Sequence, residues 1–232
     1  SKYPPDSWET IADSVKAGNS RGYNVGDTKT IDMGSYGTHT LRIANTSTPS
    51  ECSTTGFSQS ACGFVLEFAD IITTNTMNDR ASNLNGWPVT EIHTIINANV
   101  YNALPSDLRS VIIDTTTISG HGSRSGETNF TSTDKLYLLS TSEIWAQGSS
   151  NTISYDTARD VTRQLDYYKN LGTSTSNYSG AIKKDGTITS DWWLRSARSS
   201  SGGSFYYVSA NGSSNSSTAI STKGVSPAFR IG

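Results

Sequence analysis

Charge is what this sequence has least of. Asp, Glu, Lys and Arg make up 16% of its 232 residues, against about 25% in an ordinary globular domain. The formal net charge is −2, which leaves no basic footprint for a nucleic acid or an anionic membrane surface. No apolar run approaches the ~18 residues of a membrane-crossing helix. Cysteine is nearly absent: Cys52 and Cys62 are the only two. They exclude a disulfide-dense scaffold, and their spacing is not that of a CxxC zinc or redox motif. A local Cys52–Cys62 disulfide and two free thiols are both open readings. His39, His93 and His121 lack metal-ligand spacing. There is no GxSxG, P-loop, GxGxxG or HExxH.

What the chain has is neutral polarity. It contains 38 Ser and 30 Thr, so hydrogen-bonding capacity comes from hydroxyls rather than ions. Five Trp, eleven Tyr and six Phe carry too much apolar area to stay in water, which excludes disorder. A chain of this length can bury roughly 70% of its unfolded surface. One domain over residues 1–232 is expected. Residues 1–5, with Pro4-Pro5, form a linker end, and 190–232 form a C-terminal display module. The start at Ser1, with neither an initiator Met nor a signal peptide, is compatible with a segment of a longer protein.

Local patterns place the elements. Residues 6–18 read as a helix capped by Asp6 or Ser7, with Trp8, Ile11, Ala12 and Val15 on one face. A hairpin follows, from Lys29–Met33 to His39–Ala44, then a buried strand at Phe64–Phe68. A second helix is expected over 88–103, with Val89, Ile92, Ile96 and Val100 as its apolar stripe and Pro88 in its first turn. Val111–Ile118 reads as a strand, 119–134 as a loop and Leu136–Leu139 as a short buried strand. Ser140 or Thr141 caps a helical turn with Glu143, Ile144 and Trp145. Thr157–Leu171 reads equally as helix or loop. Asp185-Gly186 and Asn211-Gly212 are hairpin turns. Helices early and strands late argue for an α+β fold.

Catalytic chemistry finds no support in these patterns. Glu91 and His93 fall on different helix faces, and nothing selects a working acid–base pair from the 20 acidic residues. The chain is therefore read as a non-enzyme. Asn78, Asp79 and Asn83 offer hard oxygens that suit calcium, but the same residues are ordinary turn formers. No cofactor is assigned.

The most specific stretches are Trp192-Trp193-Leu194-Arg195-Ser196 and, about 30 residues on, Gly224-Val225-Ser226-Pro227-Ala228-Phe229-Arg230-Ile231. The second reads as a closing strand, with Pro227 at a bulge or edge. Earlier landmarks are Ser7–Ile11, Val25–Lys29, Asn85-Gly86-Trp87, Leu104–Leu108 and Leu136–Ser140. Together these resemble a bacterial and phage domain family marked by WLRS and a terminal GVxPAF-type strand. At one remove, the layout is similar to the C-type-lectin-like fold, which includes formylglycine-generating enzymes and the variable proteins of diversity-generating retroelements. The resemblance implies a C-type-lectin-like α+β domain. Formylglycine-generating activity needs cysteines in the C-terminal half, and residues 63–232 have none. The calcium lectin signatures are also absent.

A binding role is the leading expectation. The ligand would be a protein or glycan on another cell, met by a protein of a phage particle or bacterial surface. The alternatives are a formylglycine-generating-type enzyme or a structural decoration domain, and a surface assembly of several copies is compatible with each. Residues 198–222 are almost all Ser, Gly, Asn, Tyr, Thr and Ala, the composition of antibody-like paratopes. It is also the set reached by mutating adenines in asparagine codons, as retroelement variable regions do. The expected contact residues are Arg198, Ser199, Ser201, Ser204, Tyr206, Ser209, Asn211, Ser213 and Asn215. Strand alternation gives Phe205 to the core and Tyr206 to the surface.

Overall fold

The computed structural model describes residues 1–148 and 153–232. The Ser7 hydroxyl accepts the Thr10 N–H and opens helix α1 (Trp8–Lys16), which buries Trp8, Ile11 and Ala12. Strands β1 (Thr28–Asp32) and β2 (Thr38–Asn45) pair in register from Thr28 opposite Arg42 to Asp32 opposite Thr38. Strand β3 (Val65–Phe68) is buried throughout, and β4 (Thr73–Asn75) follows it.

The second helix starts later than its periodicity suggests. Thr90 is the cap, because its hydroxyl accepts the His93 N–H. Helix α2 (91–103) therefore begins at Glu91, with a π turn over Ile96–Val100. Pro88 lies in a preceding 3-10 turn, and Val89, expected in the apolar stripe, is 59% exposed. Ile92, Ile96 and Val100 are buried as expected. Helix α3 (Ser106–Arg109) leads to β5 (Ile112–Ile113) and β6 (Thr115–Ser119). The stretch expected to be a loop ends in a strand, β7 (Phe130–Asp134), paired along the whole of β6. Its sequence, FTSTD, has one apolar residue, so strand periodicity had nothing to register. Leu136–Leu139 is fully buried, but among the described residues its one β-bridge is Tyr137 to Ala228.

Two short helices follow, α4 (Thr141–Ile144) and α5 (Asp166–Asn170). After a 3-10 turn at Ser179–Ala181 come the strands β8 (Lys183–Asp185), β9 (Ile188–Ser190), β10 (Trp192–Ala197), β11 (Ser204–Val208), β12 (Ser214–Thr218), β13 (Lys223–Val225) and β14 (Ala228–Ile231). One five-stranded sheet runs β1-β2-β3-β14-β5 and is antiparallel throughout. The other runs β12-β11-β10-β13-β4, and only β10 and β13 in it are parallel. The architecture is α+β with mainly antiparallel sheets.

The terminal motif joins the two sheets. The expected single closing strand is two: β13 belongs to the second sheet and β14 to the first, with only Ser226 and Pro227 between them. Pro227 marks this change of sheet, and β14 is an interior strand rather than an edge. Proline has no N–H to leave unpaired where the ladder breaks, and the Pro227 carbonyl accepts the Phe68 N–H. Gly224 is needed for close approach, since a Cβ there would lie 2.7 Å from the Asp191 carbonyl oxygen. One apolar cluster links Tyr3 and Trp8 with α2, with Trp192 and Trp193, and with Phe229 and Ile231.

Candidate binding face on the C-terminal meander

The framework under the C-terminal strands is set by β10, the middle strand of its sheet. Trp192 and Trp193 point to opposite faces, and both are fully buried. Their indole N–H groups donate to the carbonyls of Ala181 and Asn75. The covering of both faces explains how two adjacent Trp side chains lose all solvent contact. Arg195, two residues on, is also fully buried. It grips Glu143 with Nη1 at 2.6 Å and Nη2 at 2.8 Å, and it donates to the carbonyls of Ile118 and Leu138 and to the Ser60 hydroxyl. Glu143 further accepts from the Ser140 N–H and the Ser60 and Thr162 hydroxyls. Burial pushes the Glu143 carboxyl up, but the Arg195 charge and these donors hold it below the ordinary carboxylate range.

A second buried network ties the first sheet to the β8–β9 hairpin. Glu67 on β3 meets Lys183 at 2.7 Å and Arg42 at 3.2 Å, and accepts from the Tyr168 hydroxyl. Lys183 also donates to the Ser226 hydroxyl, at the sheet-switching corner. Burial alone would raise the Glu67 carboxyl, yet the two cations and these hydrogen bonds bring it below its ordinary value. These charges are consumed by one another, so their arrangement is that of a scaffold.

On this scaffold sit the expected contact residues, in two groups. Arg198, Ser199 and Ser201 occupy the turn from β10 to β11, and Ser204 opens β11. Ser209, Asn211 and Ser213 occupy the turn from β11 to β12, at the other end of β11, roughly 14 Å away at about 3.4 Å per residue. Asn215 on the edge strand β12 lies between them. Asn211 and Asn215 are exposed, and Arg198, Ser199, Ser201, Ser204, Ser209 and Ser213 are half-buried. Gly212 fits the second turn with φ +91°, and a Cβ there would lie 2.1 Å from the Tyr178 carbonyl oxygen.

Tyr206 is the exception. It is 2% exposed and its hydroxyl accepts the Tyr155 N–H. Alternation correctly separates Tyr206 from Phe205, but a sheet covered on both sides buries both. The segment carrying Tyr155 closes over the face that sequence alone leaves open. The half-exposed aromatic of this strand is Tyr207, whose ring carries the Lys223 ammonium 3.8 Å from its centroid.

Three other loops meet the first turn, and sequence reasoning placed none of them there. Asn83, nearly fully buried, donates through Nδ2 to the carbonyls of Arg198, Ser201 and Ser204. The Ser123 N–H donates to the Ser201 carbonyl, and the Ser199 N–H to that of Tyr155. Asn83 was legible only as a turn former or calcium ligand, because its three partners lie more than a hundred residues away. Its side chain is spent as a clamp, and Asn78 is likewise engaged with the Ser82 carbonyl and the Glu91 N–H. Beside this clamp is a cleft of about 360 Å³ lined by Asn78, Asp79, Ser82, Leu84, Asn85 and Glu91, among others.

The histidines are dispersed. His39 bridges Asp70 and the Tyr36 carbonyl, His93 meets Asp134 at 2.7 Å, and His121 contacts the Gly122 carbonyl. Among the described residues no group of three or more His, Cys, Asp or Glu is placed to hold a metal ion. No described helix is long and apolar enough to cross a membrane. Cys52 and Cys62 are joined as a disulfide.

Residues 64–232 match the profile of a domain of unknown function, DUF6273. No curated protein and no solved structure matches the chain. The matched stretch contains the WLRS segment and the terminal strand pair, whereas the landmarks at Ser7–Ile11 and Val25–Lys29 precede it. With well over half its length matched, the chain belongs to the DUF6273 family.

Proposed function

We propose that this member of the DUF6273 family is a non-catalytic binding protein of C-type-lectin-like fold, and that it presents the β10–β11–β12 meander to a ligand on another cell. The observation that carries the reading is a division of labour in the side chains. In its inner strand β10, Trp192, Trp193 and Arg195 are wholly buried, the two indoles donating to backbone carbonyls and the guanidinium to the equally buried Glu143. At its turns and free edge, Ser199, Ser201, Asn211, Ser213 and Asn215 are half-buried or exposed. Binding loops carried on rigid strands have this organisation. Neutral Ser and Asn adapt hydrogen bonds to different partners at little cost, which also suits diversification of the variable-protein kind. The disulfide favours an oxidising place such as a cell or virion surface.

The test is binding of the purified protein to a glycan array and to a panel of intact bacterial cells, followed by an alanine scan. The scan should map loss of binding to 198–218. Loss confined to residues 45–62 or 119–134 would overturn the assignment of the face.

A further inference from the structure

Arg198 differs from Arg42, Arg163 and Arg195 in what it touches. Those three each meet a carboxylate. Among the described residues no carboxylate pairs with Arg198. Its guanidinium makes one hydrogen bond, Nη1 to the Ser216 hydroxyl at 2.9 Å, and Nε is buried without a partner. A guanidinium has five N–H donors in a planar fork, so most of this one's capacity is unspent. A second unspent group lies on the same sheet face. Ser204, Ser216 and Thr218 share it by alternation, and Thr218 Oγ1 is also buried without a partner. Tyr155 completes the patch. Its ring centroid is 5.2 Å from the guanidinium, and the residue is 44% exposed. The nearby acid, Asp156, is already engaged by the Thr141 hydroxyl and the Ala158 N–H.

We infer that Arg198 and Tyr155 form a subsite for a carboxylate-bearing sugar. The inference rests on the binding role proposed above and names its ligand class. A carboxylate takes two parallel hydrogen bonds from a guanidinium, which would use donors that the protein leaves idle. The tyrosine ring offers an apolar face to sugar C–H groups, and the half-buried Ser204 and Ser216 hydroxyls match sugar hydroxyls. The hydroxyl lining is the reason to prefer an acidic sugar over an acidic peptide.

The experiment is calorimetry with trigalacturonate and with sialyllactose, set against methyl-esterified trigalacturonate and lactose as the uncharged counterparts. At least one acid should bind ten-fold or more tighter than its counterpart. Arg198→Gln should abolish that preference, and Tyr155→Ala should weaken binding of acid and ester alike, both variants melting within a few degrees of the parent. A melting loss in Arg198→Gln is handled by Arg198→Lys, which keeps the charge, loses the fork and should still lose most of the preference. Equal binding of acid and ester, or an acid preference that survives Arg198→Gln, overturns the inference. Failure of both acids while neutral glycans or cells bind through Asn211 and Asn215 overturns this subsite but leaves the face. Tighter binding of a poly-glutamate peptide than of either sugar overturns the sugar assignment.

Discussion

Arg195 and Glu143 meet through two parallel hydrogen bonds of 2.6 and 2.8 Å in a place from which water is wholly excluded. Fifty-two residues separate them in sequence, so the pair fixes β10 to the start of α4. Through the Ile118, Leu138 and Ser60 contacts, it also fixes β10 to three other segments. The WLRS motif thus has a physical content: two Trp side chains fill the two faces of the middle strand, and the Arg fastens that strand to the chain around it.

Breaking this pair should be costly. Glu143→Gln leaves a buried guanidinium uncompensated, and removing one partner of such a pair costs about 3–5 kcal/mol. Replacing both, as Arg195→Met with Glu143→Leu, should cost less than Glu143→Gln alone, because no isolated charge remains. Urea denaturation of the single and double variants measures the difference.

Acid should destabilise the protein. Glu67, Glu143, Asp134 and Asp166 are all held below their ordinary values. In each, burial pushes upward and is outweighed: by Lys183 and Arg42 at Glu67, by Arg195 at Glu143, by hydrogen bonds from His93 and Trp87 at Asp134, and by the Thr46 and Ser47 N–H groups at Asp166. A carboxyl depressed on folding contributes stability that is full above its unfolded pKa, about 4. That contribution is lost as pH falls through the folded value. Melting temperature should therefore fall steeply below about pH 4, and Glu67→Gln should flatten part of that slope.

The disulfide closes a short loop, with Cys52 and Cys62 ten positions apart. Chain-entropy arguments give such a loop about 2–3 kcal/mol. Reduction, or Cys52→Ala with Cys62→Ala, should lower stability by that amount and leave the fold cooperative. Thiol titration of the unreduced protein should find no free thiol.

Tolerance should divide along the meander. Ser199→Ala and Asn215→Ala should each change stability by no more than ~0.5 kcal/mol, as surface substitutions do. Tyr206→Ala, one strand position from the half-buried Tyr207, should cost about 3–5 kcal/mol as a buried aromatic. Chemical denaturation of the three variants separates the surface of the meander from its floor.

How much of this was legible in the sequence depended on distance along the chain. Elements fixed by neighbours were readable: Ser7 capping α1, the β1–β2 hairpin, and the Asp185-Gly186 and Asn211-Gly212 turns. The burial of Phe229 and of at least one of Trp192 and Trp193 was readable from their size; that both indoles are buried follows from the covering of both sheet faces. What was not readable needed a partner far away. Strand β7 exists because β6 pairs with it, and its own residues carry almost no apolar signal. Asn83 becomes a clamp only when the 198–204 turn folds onto it. Tyr206 followed the right alternation and still ended buried, because the segment carrying Tyr155 covers its face. Of the nine expected contact residues the other eight keep some exposure, but they form two groups at opposite ends of β11 rather than one patch.

The central claim is that this meander is a recognition surface on a separately stabilised scaffold. The most direct measurement compares the binding of labelled protein to intact bacterial cells for two variants of matched size and charge change. One carries Lys at Ser199, Ser201, Ser213 and Asn215; the other carries Lys at four exposed neutral positions of the N-terminal region, Ala17, Thr30, Ser35 and Thr38. The account predicts that the first loses cell binding with its melting temperature kept, while the second still binds. Retained binding by the first, with loss by the second at unchanged stability, would contradict it.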